Sequence, residues 1–244
     1  MKKALTIAGS DSGGGAGIQA DIKAFSANGV FGMSVITAIT AQNTLGVTDV
    51  YDLPLSIVDA QIDAIFADMG ADAVKTGMLS SSEIVITVAE ALKKYKVQRL
   101  VIDPVMVAKG GSKLLRSEAV ETIKKYLIPL ALVLTPNIPE AEELLGKKID
   151  NMEKAAEELM KLGCSNVILK GGHGEGEHAP RILTKNTHGT GCTFASAVAA
   201  WLAKGFSVEE AAKKAKEYIT GAITHADGME IGSGHGPVNH FYGF

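Results

Sequence analysis

The sequence predicts an α/β fold, a single three-layer α/β/α domain around a mostly parallel central sheet. Two patterns carry that expectation. Short apolar runs alternate with longer stretches of helical periodicity, and the apolar runs end in Gly, Pro or Asn. Strand and helix in alternation impose right-handed crossovers, and therefore parallel strands covered by helices on both faces. Composition agrees: the 244 residues are 46% hydrophobic and 21% charged, enough apolar surface to offset chain entropy. No repeat, low-complexity tract or linker divides the chain, so residues 1–244 read as one domain.

Taken in order, Ala4–Ala8 is a short apolar run with the length of a buried strand. Gly17–Ser26 places Ile18, Ile22 and Phe25 near helical spacing and stops before Asn28-Gly29, a common helix exit. Met33–Ala41 is a second strand. Ser56–Met69 repeats Ile57, Ile62, Ile65 and Phe66 along one helical side, with Pro54 just before it. Ala73–Thr76, Leu100–Ile102, Ala131–Leu134 and Asn166–Leu169 read as further strands, and Phe194–Lys204 as an Ala-rich helix closed by Gly205. In an open parallel sheet, ligands gather beyond the carboxyl ends of the strands, so the residues after each strand are where chemistry is expected.

Charge and cysteine usage exclude several classes. Lys and Arg number 24 against 27 Asp and Glu, a net charge of −3, without a basic run or basic amphipathic stretch. Nucleic acid and anionic membranes are therefore not expected partners. The N-terminal apolar stretch breaks at Gly9 and Asp11, too short for a secretory signal core, and no apolar run reaches the ~18 residues of a membrane span. Cys164 and Cys192 lie far apart without metal-ligand spacing, which suits a reducing cytosol and suggests neither a disulfide framework nor a zinc site.

Three segments carry chemistry. The first is Gly9-Ser10-Asp11-Ser12-Gly13-Gly14-Gly15-Ala16-Gly17, between the first strand and the first helix. Glycines there let backbone approach a ligand with inward N–H groups, although a tight strand–helix turn explains them as well. No Gly-Lys-Ser/Thr follows, so the segment is not a P-loop. Asp21, one turn into the next helix, reads by itself as a solvated side chain.

The second and strongest is Asn186-Thr187-His188-Gly189-Thr190-Gly191-Cys192-Thr193. Two glycines straddle Thr190 just before a helix, whose first turn offers unpaired N–H donors and the positive end of the dipole. That is an anion hole suited to a transferring phosphoryl group. The same dipole is expected to lower the Cys192 thiol pKa below its usual ~8.5. The competing reading is a small thiol buried in a tight turn.

The third is Thr135-Pro136-Asn137-Ile138-Pro139-Glu140. Asn137 suits an N-cap, and Pro139 and Glu140 suit a first helical turn, so capping alone explains the pattern. The alternative is that Asn137 and Glu140 orient a hydrated Mg²⁺ near a nucleotide, a task Asp103 at the end of another strand could share. Lys170, before Gly171-Gly172-His173, could contact phosphate or simply be solvated.

Together with Leu5–Asp21, Ala41-Gln42-Asn43-Thr44, Lys75-Thr76-Gly77-Met78-Leu79, Val101–Met106, Thr135-Pro136-Asn137 and Lys170–His173, the segment Thr184–Thr193 resembles the hydroxymethylpyrimidine/phosphomethylpyrimidine kinases of thiamine biosynthesis. The resemblance runs through nearly the whole chain in order. It implies a ribokinase-like fold, and ATP with Mg²⁺ as cofactors. It also implies phosphorylation of 4-amino-5-hydroxymethyl-2-methylpyrimidine to the monophosphate and then the diphosphate. By the same resemblance, Asp21 and Gln42 hydrogen-bond the aminopyrimidine, with Gly9 beside them and Met78 packing nearby. Gly189, Thr190 and Gly191 form the anion hole, and Cys192 is the base where many sugar kinases of the superfamily carry Asp. A homodimer is implied too.

One departure concerns the stretch between His173 and Ala179-Pro180-Arg181, where only Gly174-Glu175-Gly176-Glu177-His178 intervene and the family carries a longer strand or hairpin. The Gly- and Glu-rich flanks favour a loop that is missing from the sequence over one that is truly deleted. Three other functions compete. Pyridoxal kinase shares the Gly-x-Gly-Cys motif, against which Gln42 favours an N–C–NH₂ edge because an amide both donates and accepts. A non-catalytic binding regulator would keep the pocket alone. An NAD-dependent dehydrogenase fits the glycine-rich start but lacks the acidic residue expected after a second strand.

Overall fold

The computed structural model describes residues 1–106, 117–171 and 184–244. The short junction at 174–178, with His173 and Ala179-Pro180-Arg181, lies outside the described residues. The elements run β1 Lys3–Asp11, α1 Gly17–Ala27, β2 Phe31–Asn43, β3 Gly46–Asp52, α2 Leu55–Asp68, β4 Ala73–Thr76, α3 Ser82–Lys94 and β5 Leu100–Ile102. They continue with α4 Ser117–Thr122, β6 Val133–Leu134, α5 Ile138–Leu145, α6 Met152–Met160, α7 Thr190–Ala203 and α8 Val208–Thr224. The strands form one sheet in the order β3-β2-β1-β4-β5-β6. All neighbours pair in parallel except β2 with β3.

Strand alternation explains the three layers. Leu5, Ile7, Val74, Leu100, Ile102 and Leu134 enter one core cluster with α2 and α3 residues such as Val58, Ile62, Ile84 and Val88. Their odd-register neighbours Ala4, Ala73, Val101 and Val133 enter a second cluster with Phe25, Phe194, Val198 and Ile219. Successive side chains point to opposite faces, and here both faces are dry. Helix α7 is buried almost all round, and its run of alanines lets it lie close against the sheet.

The structure corrects the sequence reading at both sheet edges. The antiparallel edge strand β3 was not expected, because Val47, Val50 and Tyr51 are interleaved with polar residues and most of the strand is exposed. The expected strand Ala131–Leu134 shortens to Val133–Leu134. Asn166–Leu169 is not a named strand, and only single parallel bridges at Val167 to Leu134 and Lys170 to Asn137 extend the sheet there.

Candidate active site

The carboxyl ends of β1, β4 and β5 meet the N-terminus of α7. Gly189 is the α7 N-cap residue at φ 76°, a left-handed conformation, and no side chain caps the helix. A Cβ there would also overlap the Gly15 carbonyl oxygen. Glycine is thus required twice over, by backbone sterics and by the contact between the two glycine-rich turns. The first-turn N–H groups of α7 have no intrahelical acceptor and carry the positive end of the dipole.

Asp103 and Lys170 stand beside this turn. Lys170 Nζ donates to Asp103 Oδ1 at 2.8 Å. A methyl placed on Gly191 would lie 3.4 Å from Lys170 Nζ and 3.7 Å from Asp103 Oδ2. Burial opposes the Lys170 charge, but Asp103 and Glu140 outweigh it and hold the pKa above the ordinary lysine value. The capping box of α5 is formed as well: Glu140 N–H donates to Asn137 Oδ1, and Asn137 N–H to Glu140 Oε2, both at 2.8 Å. Glu140 is nearly buried, and burial together with Asp103 raises its carboxyl pKa, with Lys170 opposing. Capping therefore accounts for Asn137 and one oxygen of Glu140, while the acid pair Asp103 and Glu140 shares one electrostatic environment with Lys170.

On the other side, the Gln42 amide lies at the end of β2. Its Oε1 accepts from Thr40 Oγ1 at 3.0 Å, and its Nε2 is 3.3 Å from His188 Nε2. Gly9 packs against Met78, whose methyl a Cβ on Gly9 would strike. Gln42 thus lies within 3.3 Å of the imidazole that directly precedes Gly189.

Three expectations are corrected. Asp21 is not solvated but fully buried. Its Oδ1 accepts from Ser196 Oγ at 2.6 Å and its Oδ2 from Thr6 Oγ1 at 2.6 Å, and Lys75 Nζ spans both oxygens at 3.0 and 2.9 Å. A charge on a helix that packs under a sheet must find such partners. The Cys192 thiol pKa is raised rather than lowered. Burial pushes its pKa up to about 11, Asp21 and Asp103 add to this, and Lys75 and the Gly17 N–H offset only part of it. Lastly, the first glycine-rich turn directs its N–H groups inward onto its own chain. Gly13 N–H donates to Asp11 Oδ1 at 2.8 Å, and Gly15 and Ala16 donate to Oδ2 at 3.0 and 2.8 Å. A carboxylate thus sits where a dinucleotide pyrophosphate would, which argues against the dehydrogenase reading.

Sequence reasoning missed Lys75, Asp11 and His188. Lys75 was detectable, since a lysine inside the apolar strand Ala73–Thr76 demands a buried partner. Burial opposes its charge, but Asp21 prevails and raises its pKa above the ordinary value. Asp11 and His188 carry no such signal, because a polar residue within a glycine-rich turn is unremarkable.

An uncapped helix N-terminus beside a cysteine and a Lys–Asp pair, on a mostly parallel sheet without a P-loop, fits the ribokinase-like small-molecule kinases. The comparisons agree on this class. The phosphomethylpyrimidine kinase family model matches residues 11–239. The hydroxymethylpyrimidine/phosphomethylpyrimidine kinase of Bacillus subtilis is 52% identical, across 98% of this chain and 94% of that protein. The thiamine biosynthesis bifunctional protein ThiED of Geobacter sulfurreducens is also 52% identical over 97% of this chain, which spans about half (51%) of its length. The crystal structure of phosphomethylpyrimidine kinase from Clostridium difficile 630 superposes with a TM-score of 0.83 at 53% identity, covering 91% of this chain and 100% of that one. An ADP complex of Bacillus subtilis pyridoxal kinase gives 0.88 at 39% identity, covering 98% and 97%. The chain belongs to the phosphomethylpyrimidine kinase family.

Proposed function

We propose that this protein transfers the γ-phosphoryl group of ATP to the hydroxymethyl group of 4-amino-5-hydroxymethyl-2-methylpyrimidine, and then to the monophosphate, in thiamine biosynthesis. The observation that carries the proposal is the uncapped N-terminus of α7 at Gly189, preceded by His188, whose ring lies 3.3 Å from the Gln42 amide. Binding site and anion hole are then within one side chain of each other.

In this reading Gln42 presents its amide to the N–C–NH₂ edge of the ring, and Gly9 and Met78 form the apolar wall behind it. The N–H groups of Gly191 and Cys192 receive the negative charge that spreads over the transferring oxygens, with Thr190 holding the turn through its bonds to the Thr187 carbonyl. Lys170 neutralises phosphate charge from the β6 side, and Asn137 closes the nucleotide side. Asp103 and Glu140 would hold Mg²⁺ through its waters; two carboxylates suffice for that ion, whose charge would offset that of the phosphates.

Cys192 accepts the hydroxyl proton as a thiolate and returns it to solvent. A loose transition state asks for this transfer late, so a high resting pKa slows the enzyme without disabling it. Lys75, held by Asp21, is the buried cation that favours the thiolate. Asp21 serves the substrate through Lys75 and the α1–α7 packing.

The similarity to a pyridoxal kinase supports a side activity on pyridoxal. The same reading includes a cytosolic homodimer, which sedimentation of the purified chain tests. No helix among the described residues is long and apolar enough to cross a membrane. The function is tested by incubating the protein with ATP, Mg²⁺ and the pyrimidine alcohol. Monophosphate appearing first and diphosphate second is the expected result; the absence of both products refutes the proposal.

A further inference from the structure

The Asp11 carboxylate belongs to no step above, yet it has more partners than a turn of its size requires. It is 2% exposed and takes four hydrogen bonds. Gly13 N–H donates to Oδ1; Gly15 N–H, Ala16 N–H and His188 Nε2 donate to Oδ2, the last at 2.9 Å. The bonds from His188, Ala16 and Gly13 overcome burial and hold the carboxyl below the usual carboxylate range. Asp11 ends β1, whereas His188 lies 177 residues further on. Gln42 Nε2 lies 3.3 Å from the same ring nitrogen, a contact between two donors rather than a hydrogen bond, and the His188 main chain is fixed separately by its N–H bond to the Gly236 carbonyl at 3.0 Å. The backbones of the two turns touch where Gly189 meets Gly15.

We propose that Asp11 is a positioning residue for the transfer: it clamps the His188 ring beside Gln42, and with it fixes the Gly189 anion hole that follows directly in the chain. The inference rests on the function proposed above and adds to it a residue that touches neither substrate nor nucleotide. The physical reason is rigidity. An imidazole on a glycine-flanked turn has two free torsions, and a charge-assisted bond to a buried carboxylate removes them. Misplacement of a reacting group by about 1 Å costs on the order of 100-fold in rate. The carboxylate also fills the N–H concavity of the first glycine-rich turn, so that phosphate is directed to the α7 end alone.

A purely structural role for Asp11, capping its own turn, is the alternative, and a double-mutant cycle separates the two. Asp11→Ala and His188→Ala are each expected to lower kcat/KM for the pyrimidine alcohol by about 10- to 100-fold, the range for losing one charge-assisted bond. The double variant is expected to be no worse than the poorer single one, and Asp11→Asn, which keeps an oxygen acceptor, to recover part of the loss. Gly15→Ala provides an independent arm should Asp11→Ala fail to fold. A Cβ there overlaps the His188 ring and also presses on Pro237 Cβ at 3.2 Å, and its loss should be at least that of His188→Ala. Losses that multiply in the double variant, or kcat/KM unchanged per folded molecule in Asp11→Asn and Gly15→Ala, overturn the inference. Turnover by the unmodified protein is measured alongside. Its absence refutes the proposed function, whereas normal turnover with insensitive variants refutes only the role of Asp11.

Discussion

Lys75 Nζ lies 2.9 Å from Asp21 Oδ2, and neither side chain is exposed to solvent. The pair joins β4 to α1, and Ser196 on α7 adds a third element through the same carboxylate. Cys192 stands one turn before Ser196, so the pair lies directly beneath the end of α7 that faces the site. Removing one member leaves a buried charge uncompensated. Lys75→Met is expected to cost about 3–5 kcal/mol of stability. Adding Asp21→Asn should restore most of that, because the neutral amide leaves no lone charge, keeps an oxygen for one of the Thr6 and Ser196 hydroxyls and can donate its NH₂ to the other. Urea unfolding of the three proteins checks this, and a double variant as unstable as the single one would show that charge is not the issue.

Cys192→Ala is expected to reduce kcat by about 10²–10⁴-fold, the usual span for a positioned base, with little change in substrate KM. Survival of the rate would make the thiol structural and leave the step to the α7 amides.

The resting thiol pKa of about 11 has a separate signature. Below that value the thiolate fraction grows about tenfold per pH unit, and with it the reactivity. In a Cys164→Ala background, alkylation of Cys192 by iodoacetamide should be slow at neutral pH and still be rising at pH 9. A plateau near pH 7 would restore the dipole-lowered thiol that the sequence suggests.

Gln42 is placed to read the amino-nitrogen edge of the ring. Gln42→Met should abolish pyrimidine turnover while raising that of pyridoxal, measured as kcat/KM for each. Specificity lies elsewhere if both values stay where they were.

His240 is buried and its Nε2 lies 2.9 Å from Thr193 Oγ1, the hydroxyl being the donor to a neutral ring. Burial and then Lys23 lower its pKa from 6.5 to about 4. Between these values the unfolded chain binds the proton and the folded one does not, so the stabilisation is complete above pH 6.5 and declines as pH falls toward 4. The loss is about 3 kcal/mol at most. His240→Gln, which keeps an acceptor for Thr193, should flatten that part of the pH–stability curve; an unchanged slope would assign it to other groups.

The layered architecture was legible because buried parallel strands leave continuous apolar runs, as in Leu100–Ile102, and helices keep their period, as in Ile62, Ile65 and Phe66, although Ile57 points to solvent and Val58 takes its place in the core. Edge strand β3 was not, since a solvated antiparallel edge needs no apolar run. In the site, Gly189, Gly191 and Cys192 were evident from the glycine spacing before a helix. The environment of Cys192 was not, because its pKa depends on Asp21, Lys75 and Asp103, which come from three other elements. Asp21 reads as a solvated helix residue until the packing of α1 against α7 is known. Asp11 and His188 meet only through the tertiary fold.

The account stands or falls on where the reacting groups bind. A crystal structure of the protein with a non-hydrolysable ATP analogue, Mg²⁺ and the pyrimidine alcohol measures this directly. The γ-phosphate should accept hydrogen bonds from the Gly191 and Cys192 amides, with the pyrimidine on Gln42 and its hydroxyl within reach of Cys192 Sγ. Phosphates seated on the Gly13–Ala16 turn, or a pyrimidine bound away from Gln42, would contradict it.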